Sequence, residues 1–153
     1  MPYRKSIEED CSTIHALICD MEQKPLPYEE FAEIYRSQLQ NDSFYCLVRT
    51  ENDAVIGFIN LRFEQQLHHC ETIAEIMEFV VSAHHRNGGI GRELLQEACA
   101  LCRSRGCAQI EVACNQLRHD THRFYEREGM HNFHYKFSKR LIDPDGDDNM
   151  LGR

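Results

Sequence analysis

The apolar and polar positions of the chain alternate between two periods. From Glu8 to Gln23, the residues Cys11, Ile14, Leu17, Ile18 and Met21 recur at three- and four-residue steps, which predicts a helix. Pro25 and Pro27 interrupt it. A second helical pattern runs from Tyr28 to Gln40, with Phe31, Ile34, Tyr35 and Leu39 on one side. The stretch 43–66 reads as two strands joined by Thr50-Glu51-Asn52-Asp53, a hairpin signal, and 71–82 reads as a further strand. Residues 3–7 allow a short first strand. Gly89 to Arg105 predicts a long helix stopped by Gly106, followed by a strand at 108–115 and a short helix at 117–129 closed by Gly129. Alternation over 130–142 predicts a last strand. The order β-α-α-β-β-β-α-β-α-β defines an α+β, or mixed α/β, domain.

Composition narrows this picture. A chain of 153 residues with 42% hydrophobic and 27% charged residues suits one soluble core, here expected over 1–141, with 142–153 as an acidic tail. The formal net charge of −8 argues against sequence-independent nucleic-acid binding, which needs a basic footprint. The pattern holds neither a membrane-spanning apolar run nor a signal-peptide core, so a cytoplasmic protein is expected. Most of the eight cysteines fall inside apolar periodic segments, where a reduced thiol acts as a small hydrophobe. Cys99-x-x-Cys102 has half the spacing of a zinc site, but Cys107 does not supply a second pair.

Candidate chemistry begins at Arg86-Asn87-Gly88-Gly89-Ile90-Gly91-Arg92, where three glycines stand at the start of a helix. Glycine disfavours helix, so close backbone approach is the better reason for it there. The first N–H groups of a helix have no intrahelical acceptor, and the helix dipole makes that end positive. Gly88, Gly89 and Gly91 would open those amides to a phosphate, with Arg86 and Arg92 adding charge on either side. The spacing is neither that of a dinucleotide fingerprint nor that of a P-loop. A tight turn without a ligand is the competing reading.

The same run has the R/Q-x-x-G-x-G/A pattern of the Gcn5-related N-acetyltransferases (GNAT). The resemblance extends over "EFVVSAHHRNGGIGRELL", Asn115 at the end of the next strand, and "HRFYEREGM". Asn87 departs from the glycine common at its place. The segments "ALICDME", "LHH", "AEIMEFVV", "RHDTHRFYEREG" and "FSKRL" also resemble the bacterial aminoalkylphosphonate N-acetyltransferases. The resemblance implies a GNAT-like fold: a central, mostly antiparallel mixed sheet, helices on both faces, and a bulge in the fourth strand. It implies acetyl-CoA as cosubstrate, with the diphosphate on the amides of 86–92 and Phe79, Val80 and Val81 pairing with the pantetheine. It also places a carboxylate base at Glu78 and a tyrosine serving the leaving thiolate at Tyr125. Asn115 fits either a pantetheine contact or a strand-end cap.

The reaction implied is direct acetyl transfer to a primary amine. An amine with a pKa near ~10 is mostly protonated at neutral pH, so a base is needed. Strict alternation would put Glu75 and Glu78 on opposite faces of their strand, unless a bulge intervenes. An N–H of Val80 or Val81, released from the ladder by the bulge, would face the developing oxyanion. For the acceptor, His68, His69, Arg118 and His119 offer contacts to a phosphonate. The pairs His119/Arg123 and Arg118/His122 stand at helical i,i+4 spacing, while His84 and His85 read as surface residues. Histidines with a glutamate would also suit a divalent metal, although the spacing closes no site. A protein or polyamine acetyltransferase and a non-catalytic acetyl-CoA sensor are the alternative functions; the sensor needs neither Glu78 nor Tyr125. The expected partners are a small-molecule amine and a second copy in a homodimer, without nucleic acid or membrane.

Overall fold

The computed structural model describes residues 2–142, and these fall into two compact units that meet between Val112 and Ala113. Of the expected acidic tail, 142–153, residues 143–153 lie outside the described part.

In the first unit, strand β1 (Tyr3–Lys5) leads through a single tight helical turn (Glu8–Asp10) into helix α1 (Cys11–Glu22) and then α2 (Tyr28–Leu39). Strands β2 (Phe44–Glu51), β3 (Ala54–Gln66) and β4 (Glu71–Val81) follow, then α3 (Ile90–Ser104) and β5 (Gln109–Val112). The five strands form one sheet in chain order, antiparallel throughout except for the parallel β4–β5 pair. This is the mixed sheet the sequence predicts. Asn52 and Asp53 turn the β2–β3 hairpin with φ of 51° and 64°, the two left-handed residues that a tight right-twisted hairpin requires.

One face of the sheet carries α1 and α2. Cys11, Ile14, Ile18, Ala32 and Tyr35 pack there with Val48, Phe58 and Val80. α3 packs on β3 and β4, burying Leu94, Leu95, Ala98 and Cys102. On α2 the buried side turns to Ala32 and Tyr35, and the expected core residue Ile34 is 60% exposed. Burial of Tyr35, whose hydroxyl donates to Ile7 O at 2.6 Å, fixes that rotation. A buried hydroxyl must keep a partner, which decides the helix face over the simple count of apolar residues.

All eight cysteines are free thiols, and Cys70 at the β3–β4 turn is exposed. Burial pushes the Cys102 thiol up to about 12, so it sits in α3 as a protonated core residue.

In the second unit, α4 (His119–Arg127) is followed by Gly129, which has φ 87° and turns the chain away from the helix. The expected last strand does not form. Residues 131–140 make neither helix nor strand, and Phe133, Tyr135 and Phe137 are 80%, 78% and 92% exposed. Alternation supplies a strand with an apolar face, but the backbone also needs a neighbouring ladder, and among the described residues none pairs with it.

The start of the first unit is fastened by charge. Arg4 grips Asp10 with two bonds, at 2.7 and 3.0 Å, and the Ile7 N–H donates to the same carboxylate at 2.8 Å. Burial raises the Asp10 pKa, but the Arg4 and Ile7 bonds outweigh it and leave the group below its ordinary value. The resulting stability is therefore present above the unfolded carboxylate range and lost as pH falls through the lowered folded value. Asp10→Asn is expected to cost about 2 kcal/mol near neutrality. Urea midpoints measured at neutral and at acid pH should show the gap to wild type closing in acid.

Candidate active site

The geometry of the site begins with one extra residue in β4. Leu61 pairs with Ile76 and Asn60 with Glu78, so Met77 has no partner on β3. This bulge reverses the parity that strict alternation assigns. Arg62 and Asn60 share a face of β3, and their partners Glu75 and Glu78 consequently share a face of β4. Glu78 and Val80 lie on the side of α1 and α2, as Val80's place in that core shows.

Beyond the bulge, among the described residues, β4 has a neighbouring strand on one side only. The β4–β5 ladder ends at Ile76 and Val112, while β4 continues to Val81 beside β3. Ser82 N–H donates to Ile56 O at 2.7 Å. In an antiparallel ladder the direction alternates, so residues 80 and 82 address β3 and residues 79 and 81 address the opposite edge. The Val81 carbonyl, on that edge, accepts from Arg86 Nε at 3.2 Å. Of the two oxyanion donors expected from the sequence, the register favours Val81 over Val80. Gly57 lies opposite Val81, and a Cβ there would come within 3.1 Å of Val80 O, so this approach of the strands requires glycine.

Glu78 is half-buried. Its Oε1 accepts from Asn60 Nδ2 at 2.8 Å. Desolvation raises its pKa and the Glu22 charge adds to that, against the Asn60 bond, which lowers it; the net direction is up. A carboxyl held above its ordinary range is better matched to taking a proton near neutrality. Glu75 is engaged differently, in an ion pair with Arg62 at 2.7 Å.

After β4, Ala83–His85 form a tight turn and the chain reaches α3 through Arg86, Asn87, Gly88 and Gly89. Asn87 has φ 67° and Gly89 φ 83°. Glycine is therefore the easy residue at position 87, and asparagine is among the few others that accept a left-handed backbone. The first helical bond runs from Glu93 N–H to Gly89 O at 3.0 Å, so the N–H groups of Gly89, Ile90 and Gly91 come ahead of the intrahelical ladder. Arg92 is exposed on the first turn. His84 is exposed as expected, but His85 is half-buried and bonds Glu51 at 2.9 Å, tying this turn to β2.

Two of the expected acceptor residues do not belong beside Glu78. His68 and His69 sit in the β3–β4 turn with ring centroids 4.3 Å apart. Glu71 opens β4 next to them, and the strand then rises roughly 20 Å before reaching Glu78. A hairpin brings sequence neighbours to its tip, but separates tip from base by its own length. Among the described residues no three His, Cys, Asp or Glu side chains form a metal-binding group.

In the second unit Asn115 organises the entry to α4. Its Oδ1 accepts from Leu117 N–H at 2.8 Å, and its carbonyl accepts from His122 Nε2 at 2.7 Å. β5 ends at Val112, three residues before Asn115, so these bonds close the turn into α4. Arg118 and His119 are exposed at the start of α4. Arg123 pairs with Asp120 rather than His119, and His119 instead meets His122 edge-on at 6.0 Å. Tyr125 is half-buried, and burial pushes its hydroxyl up to about 12, with Cys114 raising it further and Arg118 opposing.

The residue that sequence reasoning missed is Asn60. Its signal was a lone polar side chain inside the apolar run Val55 to Leu61.

The acetyltransferase (GNAT) family profile matches residues 11–130. The chain is 35% identical over 138 residues to the aminoalkylphosphonate N-acetyltransferase of Salmonella typhimurium, covering 90% of each protein. Among solved structures, a transcriptional regulator from Bacillus halodurans superposes with a TM-score of 0.83 at 21% identity, covering 91% of this chain and 98% of the other. Glucosamine-6-phosphate N-acetyltransferase from Arabidopsis thaliana gives a TM-score of 0.75 at 21% identity, covering 91% and 97%. The chain belongs to the GNAT family. It is an acetyl-CoA-dependent N-acetyltransferase, which sets aside the non-catalytic sensor.

Glu78 carries a stability consequence. Its folded pKa is raised, so ionising it opposes folding; that cost is absent in acid and builds as pH rises through the folded value. Glu78→Gln should therefore melt higher than wild type at alkaline pH and coincide with it in acid, as read by thermal denaturation across pH.

Proposed function

We propose that the enzyme transfers the acetyl group of acetyl-CoA directly to the primary amine of a small molecule, with an aminoalkylphosphonate as the favoured acceptor. The observation that carries this reading is a half-buried carboxylate, Glu78, on the bulged strand just ahead of the Gly88–Gly91 turn. The acceptor class is supported by the similarity over nine-tenths of both chains to an enzyme named for that substrate.

In this reading the turn at Arg86, Asn87, Gly88, Gly89, Ile90, Gly91 and Arg92 holds the coenzyme diphosphate on backbone amides. The edge of β4 at Phe79 to Val81 runs alongside the pantetheine. Glu78 takes the proton of the ammonium form, and the second proton, lost as the attacking nitrogen becomes an amide, passes to solvent. The Val81 N–H stabilises the oxyanion formed as nitrogen attacks the thioester carbon, an effect of about 3 kcal/mol for one preorganised donor. The carbon–sulfur bond then breaks and the thiolate leaves. Tyr125 donates a hydrogen bond to that thiolate and keeps its proton: with the hydroxyl at about 12 and a thiol near ~8.5, transfer is uphill by roughly 5 kcal/mol. Arg118 and His119 supply positive charge and N–H donors for a phosphonate.

The net charge of −8 favours a cationic acceptor instead, so the alternative is a polyamine or a peptide amine. Turnover with aminoethylphosphonate, spermidine and a lysine peptide, each with and without chelator, separates the readings. Phosphonate-selective turnover is expected, and preference for spermidine would overturn the acceptor assignment. Tyr125→Phe should lower kcat on the order of tenfold and leave acetyl-CoA affinity within about twofold; unchanged kcat removes its role. At saturating acetyl-CoA, a hundredfold above Kd, wild type should gain roughly 2.7 kcal/mol against unfolding. Gly88→Ala should fold normally, since its Cβ would meet only His85 O at 3.8 Å, yet lose much of that gain.

A further inference from the structure

We propose that Asn60 is the positioning residue of this enzyme: its buried side-chain amide, opposite the β4 bulge, holds the Glu78 carboxylate in the state and orientation that takes the proton of the amine. This rests on the reading of Glu78 as the base. Asn60 is only 8% exposed, in the middle of a central strand, with Phe58 and Arg62 as its neighbours on the same face. A polar side chain there is costly unless it is fully bonded. Asn60 Nδ2 donates to Glu78 Oε1 at 2.8 Å and to Gln38 Oε1 at 3.0 Å. Two oxygens on one side fix the orientation of the amide, because its own carbonyl turned that way would meet both. Gln38 reaches in from the last turn of α2, so the amide is braced from the helical layer as well as from the sheet.

The position is tied to the bulge. Asn60 is the last residue of β3 in register with β4 before the extra residue, and Glu78 is its ladder partner. The bond engages Oε1, leaving Oε2 to meet the amine. The groups that act on Glu78 come from four elements: Glu22 of α1, Gln38 of α2 through Asn60, Cys46 of β2, and Asn60 of β3. Cys46 is itself driven up to about 12 by burial, and so remains a neutral thiol. Glu22 repels the ionised carboxylate. Of these groups, Asn60 is the one that donates to it.

The test reads Glu78 directly by carbon NMR titration of its carboxyl, and by kcat/KM across pH with acetyl-CoA and aminoethylphosphonate. Asn60→Ala should move the titration midpoint and the acid limb of kcat/KM together to higher pH. On the acid side the loss should be about tenfold, the size of one charge-assisted bond, and it should shrink as pH rises. Asn60→Asp keeps the shape, adds a second carboxylate, and should move both further in the same direction. An unmoved Glu78 midpoint in both variants would overturn the inference while leaving the base assignment standing. Glu78→Gln, with folding checked by its melt, distinguishes the other failure. If its acid limb persists, Glu78 is not the base and the role given to Asn60 falls with it.

Discussion

The site depends on one unpaired residue, Met77. An antiparallel ladder allows each strand only two side-chain directions, and an extra residue is the cheapest way to change them midway. Upstream of Met77, β4 is an ordinary central strand between β3 and β5. Downstream, it keeps β3 and runs beyond the end of the parallel pairing. Backbone donors and a carboxylate are thereby brought to one short stretch of strand, on a sheet whose buried residues on either side hold it rigid.

Electrostatics and packing act against each other here. Glu78 is half-buried beneath α1 and α2, and Glu22 adds a like charge, so its environment resists the ionised form. Asn60 offsets part of this with one hydrogen bond. The net result is a carboxyl raised above its ordinary range. Local instability at such a position is the common companion of function.

Much of the fold was legible because its signals are local. Helical spacing of Cys11, Ile14 and Ile18, the Asn52-Asp53 turn and the glycine stops at 106 and 129 each act over a few residues. The turn before α3 was legible for the same reason, since Asn87 and Gly89 mark left-handed backbone. What failed depended on distant partners. Ile34 lost the core face of α2 to Tyr35 because a hydroxyl needed Ile7 O. The aromatic alternation at 133–137 lacked a ladder among the described residues. His68 and His69 seemed close to Glu78 in sequence, but lie at the far end of the hairpin. Asn60 and Gln38 meet across 22 positions of chain, which no periodicity reports.

The turn before α3 has a chemical consequence of its own. Asn87 is exposed and is followed by Gly88, which has no side chain to shield its nitrogen. In such a pair the glycine nitrogen readily attacks the asparagine amide, expelling ammonia through a cyclic imide. Hydrolysis then leaves an aspartate or its backbone-shifted isomer. A protein ageing by this route acquires a negative charge at the mouth of α3, the positive end of the helix, where an incoming anion would be repelled.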